Sequence, residues 1–337
     1  MLEEKGIAKV VAVATSHRDS AEAVAARFGV PRAYAGYEAL CQDPDVELVD
    51  VATRPSRHLP MVLSALAAGK HVLCEAPLAV SAADGQQLVD AAAAAGRLGW
   101  VDMQSRFWPG LQQLRDLVRD GWLGRVDNVA ATAFYPTFTQ SAAVGSSSWC
   151  ARAENGASSL RVHGLHTADL LRWIFGELSE VSGVTARRAP QWRGPDGPVP
   201  ADSVDSAAFT ALTADGAVCS VHTSWVARFG AGWRLVVHGN EGLLVAEAAG
   251  HTGHFPVRLA GARGADTGLR EIVPPSGTPT APFIDLISAL ATRIAPDGAP
   301  LAVSGAGARA SVSADDLPTF ADGVAVLRIA DEIEHAG

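Results

Sequence analysis

The chain has 337 residues, 48% of them apolar, and a formal net charge of −9. That length exceeds one ordinary hydrophobic core, so two domains are expected. An acidic balance with no basic run argues against nucleic acid or an anionic membrane as partner. The richest apolar tract, Leu88 to Ala95, is interrupted by Asp90 and stops at Gly96, too short to span a bilayer. Met1-Leu2-Glu3-Glu4-Lys5 is polar and acidic, so no secretory signal is expected. Cys41, Cys74, Cys150 and Cys219 are scattered without C-x-x-C spacing, which points to reduced thiols in a cytoplasmic protein and to no disulfide framework or zinc site.

Taken in order, Val10 to Thr15 is a continuous apolar run of the kind a buried parallel strand shows. Ser20 to Phe28 has helical spacing and meets Gly29, a C-cap signal. Tyr37 to Cys41 predicts a short helix, Val46 to Ala52 a second strand, and Pro60 to Ala68 a crossover helix. Gly69 stops that helix before the His71–Cys74 strand, which runs into Glu75-Ala76-Pro77. Ala82 to Ala95 is a further helix, and Leu98 to Asp102 a further strand. Such alternation predicts a parallel sheet with helices on both faces. After about Val126 the period changes to two, over Asn128–Tyr135, Ser206–Leu212, Ala217–Val226, Trp233–His238 and Gly242–Glu247. These predict an open antiparallel sheet with one exposed face. Gln191 to Gly197 reads as a loop and Thr319 to Glu334 as a closing helix.

The expected architecture is therefore an α/β Rossmann-like domain over 1–125 that lacks the usual first strand. An α+β domain with a large open antiparallel sheet follows over 126–317, and then a closing helix over 318–337. In a parallel sheet, chemistry gathers beyond the carboxyl ends of the strands. That puts Glu75, Ala76 and Pro77 at the cleft, and an alanine there can do no acid–base work.

The ordered landmarks form a specific set: Ala-Arg-Phe-Gly-Val-Pro at 26–31, Tyr37-Glu38-Ala39-Leu40, Thr53-Arg54-Pro55-Ser56-Arg57-His58, and Ala68-Gly69-Lys70-His71-Val72-Leu73-Cys74-Glu75. Further on come Arg106-Phe107-Trp108-Pro109, Gly124-Arg125-Val126, Gly164-Leu165-His166-Thr167-Ala168-Asp169 and Gly239-Asn240-Glu241-Gly242. Together they resemble the Gfo/Idh/MocA family of NAD(P)-dependent oxidoreductases. The resemblance implies a Rossmann domain followed by an open sheet, and a homodimer or homotetramer formed through that sheet. Three departures stand out. The family's opening strand with its Gly-x-Gly-x-x-Gly turn has no counterpart; the near-match Gly305-Ala306-Gly307-Ala308-Arg309 lies outside any βαβ unit and reads as a loop. The family's Glu-Lys-Pro is Glu75-Ala76-Pro77, which removes a lysine that stabilises the substrate oxygen or helps move its proton. The family's aspartate, four residues before the motif histidine, is Val162.

His166 is expected to be catalytic, its charge suppressed near a helix start so that it serves as base or hydrogen-bond donor. Asp169, one turn along, would either orient it or pair with Arg172. His163 would reach the cleft from the preceding loop. Asp102 offers an acid or base at a strand end, or a simple cap. Arg106 offers a fork for a substrate carboxylate, or a structural ion pair. His163, His166 and Asp169 spread too widely around a helix to share one ion, so no metal is expected. Ser16 and Arg18 suit a 2′-phosphate, and by the resemblance Thr53, His58 and Glu75 would border the nicotinamide; all five serve only if NADP is bound.

Because the three losses fall on one function, the favoured expectation is a repurposed enzyme with no nicotinamide cofactor. It would carry out elimination, isomerisation or cyclisation on a small oxygenated metabolite. The alternatives are an NADP-dependent dehydrogenase of a sugar-like or carbonyl substrate whose true start lies upstream, and a non-catalytic regulator on the same fold.

Overall fold

The computed structural model describes residues 6–294 and 316–335. Its first part alternates β1 (Ala12–Thr15), α1 (Arg18–Phe28), β2 (Arg32–Ala35), α2 (Tyr37–Cys41), β3 (Leu48–Val51), α3 (Pro55–Ala67), β4 (His71–Cys74), α4 (Ala82–Ala95), β5 (Gly99–Val101) and α5 (Pro109–Arg119). Local chemistry sets several of these ends. The Ser81 hydroxyl accepts the Asp84 amide N–H at 3.1 Å and caps α4. Gly29 adopts φ 67° and closes α1, a left-handed turn that a side chain would strain.

β1 and β2 pair in parallel, and β3, β4 and β5 form a separate three-stranded parallel sheet in which Val51, Cys74 and Val101 lie in register. Among the described residues β1 and β3 each have one partner. Parallel strands bring their carboxyl ends to one side, so Thr53, Glu75 and Asp102 line one edge of the β3–β5 sheet, and Ser16 follows the carboxyl end of β1 in its own sheet.

The second part comprises β6 (Val126–Phe134), α6 (Ser141–Ser147), α7 (Leu165–Phe175), β7 (Ser179–Ala186), β8 (Gln191–Gly194), β9 (Gly197–Pro200), β10 (Ser206–Leu212), β11 (Val218–Ser224), β12 (Gly232–Gly239), β13 (Gly242–Ala248), β14 (Arg258–Arg263) and β15 (Arg270–Val273). It ends with α8 (Ala281–Ile294) and α9 (Phe320–His335). One eight-stranded sheet takes the order β15-β14-β13-β12-β6-β11-β10-β7. The expectation of a purely antiparallel sheet is corrected at its centre, where β6 runs parallel to β11. A parallel pair requires a long crossover, and here α7 lies within that connection. The expected loop over Gln191–Gly197 is instead part of the β8–β9 hairpin, anchored by buried Trp192. Strands this short, rich in Arg, Gly and Pro, carry too little period-two pattern to read. The glycine string at 305–309 lies outside the described residues.

α9 returns to the first part of the chain: the Asp331 carboxylate accepts the Ala82 amide N–H at 2.8 Å, and the Phe320 ring lies on Gly99, where a Cβ would come within 2.3 Å. Gly110, at the start of α5, rests on the Val257 carbonyl, and a Cβ there would sit 2.4 Å from that oxygen. A backbone atom cannot swing aside as a side chain can. Gly110→Ala is therefore expected to destabilise the fold by roughly 1–3 kcal/mol through overpacking. Thermal denaturation of the variant beside the native protein checks this; an unchanged midpoint would show that α5 shifts freely.

Candidate active site

The helix carrying the motif histidine does not begin at Leu165. A wide π turn over Leu160–Gly164 runs into α7, with the Gly164 amide N–H bonded to the Ser159 carbonyl at 3.0 Å. His166 thus lies well inside a continuous helix, and the expected helix-start effect on its charge gives way to burial. His163 and His166 are both buried, and each ring meets His251 on the loop after β13. Ring centroids stand 5.1 Å apart for His163 and His251, and 4.7 Å for His166 and His251. Tyr135, just beyond β6, lies 4.4 Å from His163 and 5.9 Å from His251. Behind them Trp225, Trp192 and Phe138 form an aromatic wall in which Phe138 stacks on Trp192 at 4.0 Å.

Tyr135 Oη, His163 Nδ1, His166 Nδ1 and His251 Nε2 are buried without a partner, as are the indole nitrogens of Trp192 and Trp225 in the wall behind them. Buried polar groups are nearly always satisfied, so such a convergence marks a place for a hydroxylated ligand. Burial lowers His163 to about 3 and His166 to about 4, and takes His251 well below the usual imidazole value. The three rings are therefore neutral at physiological pH and can each donate or accept.

This has a consequence for stability. In the unfolded chain His163 takes up a proton near pH 6.5, whereas in the fold it resists one down to about 3. The unfolded state then binds more protons between those values, so stability falls as pH drops through that window. One such group contributes a slope of about 1.4 kcal/mol per pH unit. His163→Gln is expected to flatten the dependence of the urea midpoint between pH 6 and pH 4 by that amount. Groups common to both proteins cancel in the comparison, and equal slopes would sink the expectation.

Beside the cluster, three carboxylates gather at the strand ends. Asp50, on β3, is raised to about 6 by desolvation. Glu75 is raised to about 7, by burial first and then by Asp50. Asp102 is also raised, by burial and by repulsion from Glu75 and Asp50. Its Oδ1 accepts the Gln104 amide N–H at 3.2 Å. With Ala76 in place of a lysine, position 76 supplies no cation to offset these charges.

The other expected site residues part company. Arg106 is buried and forms a two-pronged ion pair with Asp169, its Nε donating to Oδ2 at 2.8 Å, with Asp322 also within 3.5 Å. Asp169 consequently turns from His166, and α7 displays its two chemistries on different faces. His58, expected beside the nicotinamide, has its ring nitrogens against the Thr53, Pro77 and Leu78 carbonyls at 3.0–3.2 Å, tying α3 to the turn after β4. Among the described residues no group of three or more His, Cys, Asp or Glu side chains is placed to hold a metal ion. Tyr135 and His251 were missed by sequence reasoning. Tyr135 directly follows a strand of clear period two, a usable signal; His251 sits on a loop with none.

The residues expected to hold a dinucleotide fall at the carboxyl ends of parallel strands. Ser16 and Arg18 follow β1, although Arg18 Nε already donates to Glu22 at 2.6 Å. Thr53 follows β3, and Glu75 offers acceptor oxygens for ribose hydroxyls. Among the described residues no glycine-rich turn cradles a pyrophosphate.

A split parallel sheet and an eight-stranded open sheet, linked by the Gln104–Gly253 and Ser105–Thr252 hydrogen bonds beside the histidines, define a two-part α/β and α+β architecture. The description "Oxidoreductase family, NAD-binding Rossmann fold" matches residues 1–103, and "GFO/IDH/MocA C-terminal domain" matches residues 111–245. The chain belongs to the Gfo/Idh/MocA family. It is 42% identical over 116 residues to trans-1,2-dihydrobenzene-1,2-diol dehydrogenase of Mus musculus, 34% of this chain and 35% of that one. It is 27% identical over 252 residues to levoglucosan dehydrogenase of Pseudarthrobacter phenanthrenivorans, covering 69% and 63%. The matches thus span about a third and under two-thirds of those relatives' lengths. In fold it is similar to a levoglucosan dehydrogenase in complex with NADH and levoglucosan, with TM-score 0.80 at 24% identity over 97% of this chain and 87% of that one. These findings overturn the expectation of non-redox chemistry and of a protein without nicotinamide cofactor. Relatives named dehydrogenases, and a family described as NAD-binding, point to an oxidoreductase. Position 76 lacks the lysine, but the structure groups His163 and His166 with His251, a residue that no sequence pattern ties to them.

Proposed function

We propose that this protein is an NADP-dependent dehydrogenase that interconverts an alcohol and a carbonyl on a small, uncharged, hydroxylated ring. The observation that carries this reading is the convergence of unpartnered atoms from Tyr135, His163, His166 and His251 in a charge-neutral cluster. Asp50, Glu75 and Asp102 supply no positive charge for an anionic substrate, and Arg106, Arg161 and Arg172 are held in ion pairs with Asp169, Asp322, Asp331, Glu334 and Glu177. Neutral hydroxyls therefore suit the site better than carboxylate or phosphate.

Bound NADP would supply hydride acceptance at the carbon. Ser16 and Arg18 would hold its adenosine end, Thr53 and Glu75 its nicotinamide end. His166, neutral and buried, takes the hydroxyl proton as the carbonyl forms. Tyr135 and His163 orient a second hydroxyl, and the aromatic wall packs against the ring's apolar face. In this reading residues 1–125 carry the cofactor, 126–317 the substrate groups, and 318–337 close onto the first part. Copies of the chain pair through the open sheet as a homodimer or homotetramer, which sedimentation velocity would read directly.

The test is calorimetric titration with NADP and NAD, followed by turnover assays on trans-1,2-dihydrobenzene-1,2-diol and levoglucosan. Tighter binding of NADP and reduction of it by either alcohol is expected. Absence of binding by both dinucleotides would overturn the reading.

A further inference from the structure

His251 has a proton placement that its surroundings dictate. The Gly253 amide N–H donates to His251 Nδ1 at 3.1 Å, so that nitrogen is an acceptor. A neutral imidazole then carries its single proton on Nε2. That Nε2 is buried, has no partner, and lies on a ring flanked by His166, His163 and Tyr135. It is a donor held in readiness among groups that themselves lack partners.

The loop holding it is braced against the strand ends where the chemistry gathers. Gln104 Nε2 donates to the Gly253 carbonyl at 2.7 Å, Ser105 Oγ to Thr252 Oγ1 at 2.9 Å, and Trp108 Nε1 to the Thr252 carbonyl. The His254 and Phe255 amide groups close a turn back onto the His251 carbonyl at 2.9 and 3.0 Å. Gly253 is needed for the contact: a Cβ there would lie 2.9 Å from His251 Nδ1. These bonds fix the ring from the side away from the cluster. Meanwhile the side chain at the neighbouring strand end is Ala76, which can donate nothing.

We propose that His251 is a catalytic residue whose Nε2–H donates to the reacting oxygen of the substrate, a role for which position 76 has no donor. This rests on the dehydrogenase reading above. In the oxidative direction the substrate O–H bond breaks and its proton passes to His166. The C–H bond breaks with its electron pair going to the oxidised nicotinamide dinucleotide, and the C=O bond forms. His251 stabilises the negative charge that builds on oxygen between those events. A pre-oriented donor costs no reorganisation as the charge develops, which is why one such group has a large effect on rate.

The experiment compares His251→Leu, His251→Gln and Gly253→Ala with the native protein, using NADP and trans-1,2-dihydrobenzene-1,2-diol or levoglucosan. His251→Leu is expected to lower kcat by roughly 10²–10³ with little change in KM, the effect of deleting one donor to a developing oxyanion. Glutamine places an amide N–H near the Nε2 position and is expected to recover most of the loss. Gly253→Ala, which displaces the ring without removing it, is expected to resemble the leucine variant. A leucine variant as fast as the native protein would overturn the proposal. Nitrogen-15 NMR of the cofactor-free native protein gives a readout independent of turnover: a proton on Nε2 and none on Nδ1 at neutral pH is expected, and the reverse tautomer would also overturn it. If the native protein oxidises neither alcohol, the dehydrogenase reading fails, while the tautomer still decides the donor.

Discussion

Replacing Arg106 with alanine is expected to destabilise the protein by roughly 3–5 kcal/mol, the usual cost of leaving one partner of a buried ion pair alone. The Asp169 carboxylate is 1% exposed and the Arg106 side chain 3%, so the pair is desolvated and each charge depends on the other. The pair also holds together three separate elements, since the guanidinium joins the turn after β5 to α7 and, through Asp322, to α9. For a chain this large, that loss corresponds to a fall of roughly 4–7 °C in the thermal midpoint. Lysine at the same position keeps a charge but loses the fork, and should recover only part of the loss. Circular dichroism melts decide the matter. A midpoint within about 2 °C of native, well under the expected shift, combined with loss of turnover, would return Arg106 to the substrate site.

The second large effect concerns His166. His166→Asn is expected to lower kcat by roughly 10²–10⁴, the range a positioned general base contributes, while the fold survives. The pH profile gives the sharper check. Burial, with a smaller repulsion from His254, lowers His166 to about 4. A base works only when deprotonated, so the His166 limb of kcat/KM should fall as pH drops through about 4, separate from any limb near 7 that Glu75 contributes. An acid limb near the ordinary imidazole value would show that another group is titrating. The limb at about 4 should vanish in the asparagine variant.

These two residues show how unevenly the site could be read. Arg106 and His166 each belonged to a recognisable string; Arg106 follows the end of β5 as expected, whereas His166 lies inside a helix that starts earlier than its string suggested. Nothing in the strings said which face each side chain would take. Arg106 meets a carboxylate 63 residues away, and that encounter removes it from the cleft. His166 meets His251, a residue on an irregular loop that no periodicity could link to it. Likewise the apolar run of β4 was plain, because a strand buried in a parallel sheet needs side chains that water rejects on both faces. β1, expected to be a buried strand, pairs on one side and is only partly buried. The short β8–β9 hairpin was not plain, since its pairing depends on one buried tryptophan more than on any pattern.

By itself the sequence determined the class of fold, the alternation of strand and helix, and the edge along which Glu75, Ala76 and Asp102 would lie. Hydrophobic period and glycine stops act over a few residues, so they are written locally. Only the tertiary structure decided the protonation and partners of the buried groups. An imidazole is held neutral by everything packed around it, and the donor on His251 exists because a glycine two residues on turns its amide back toward the ring.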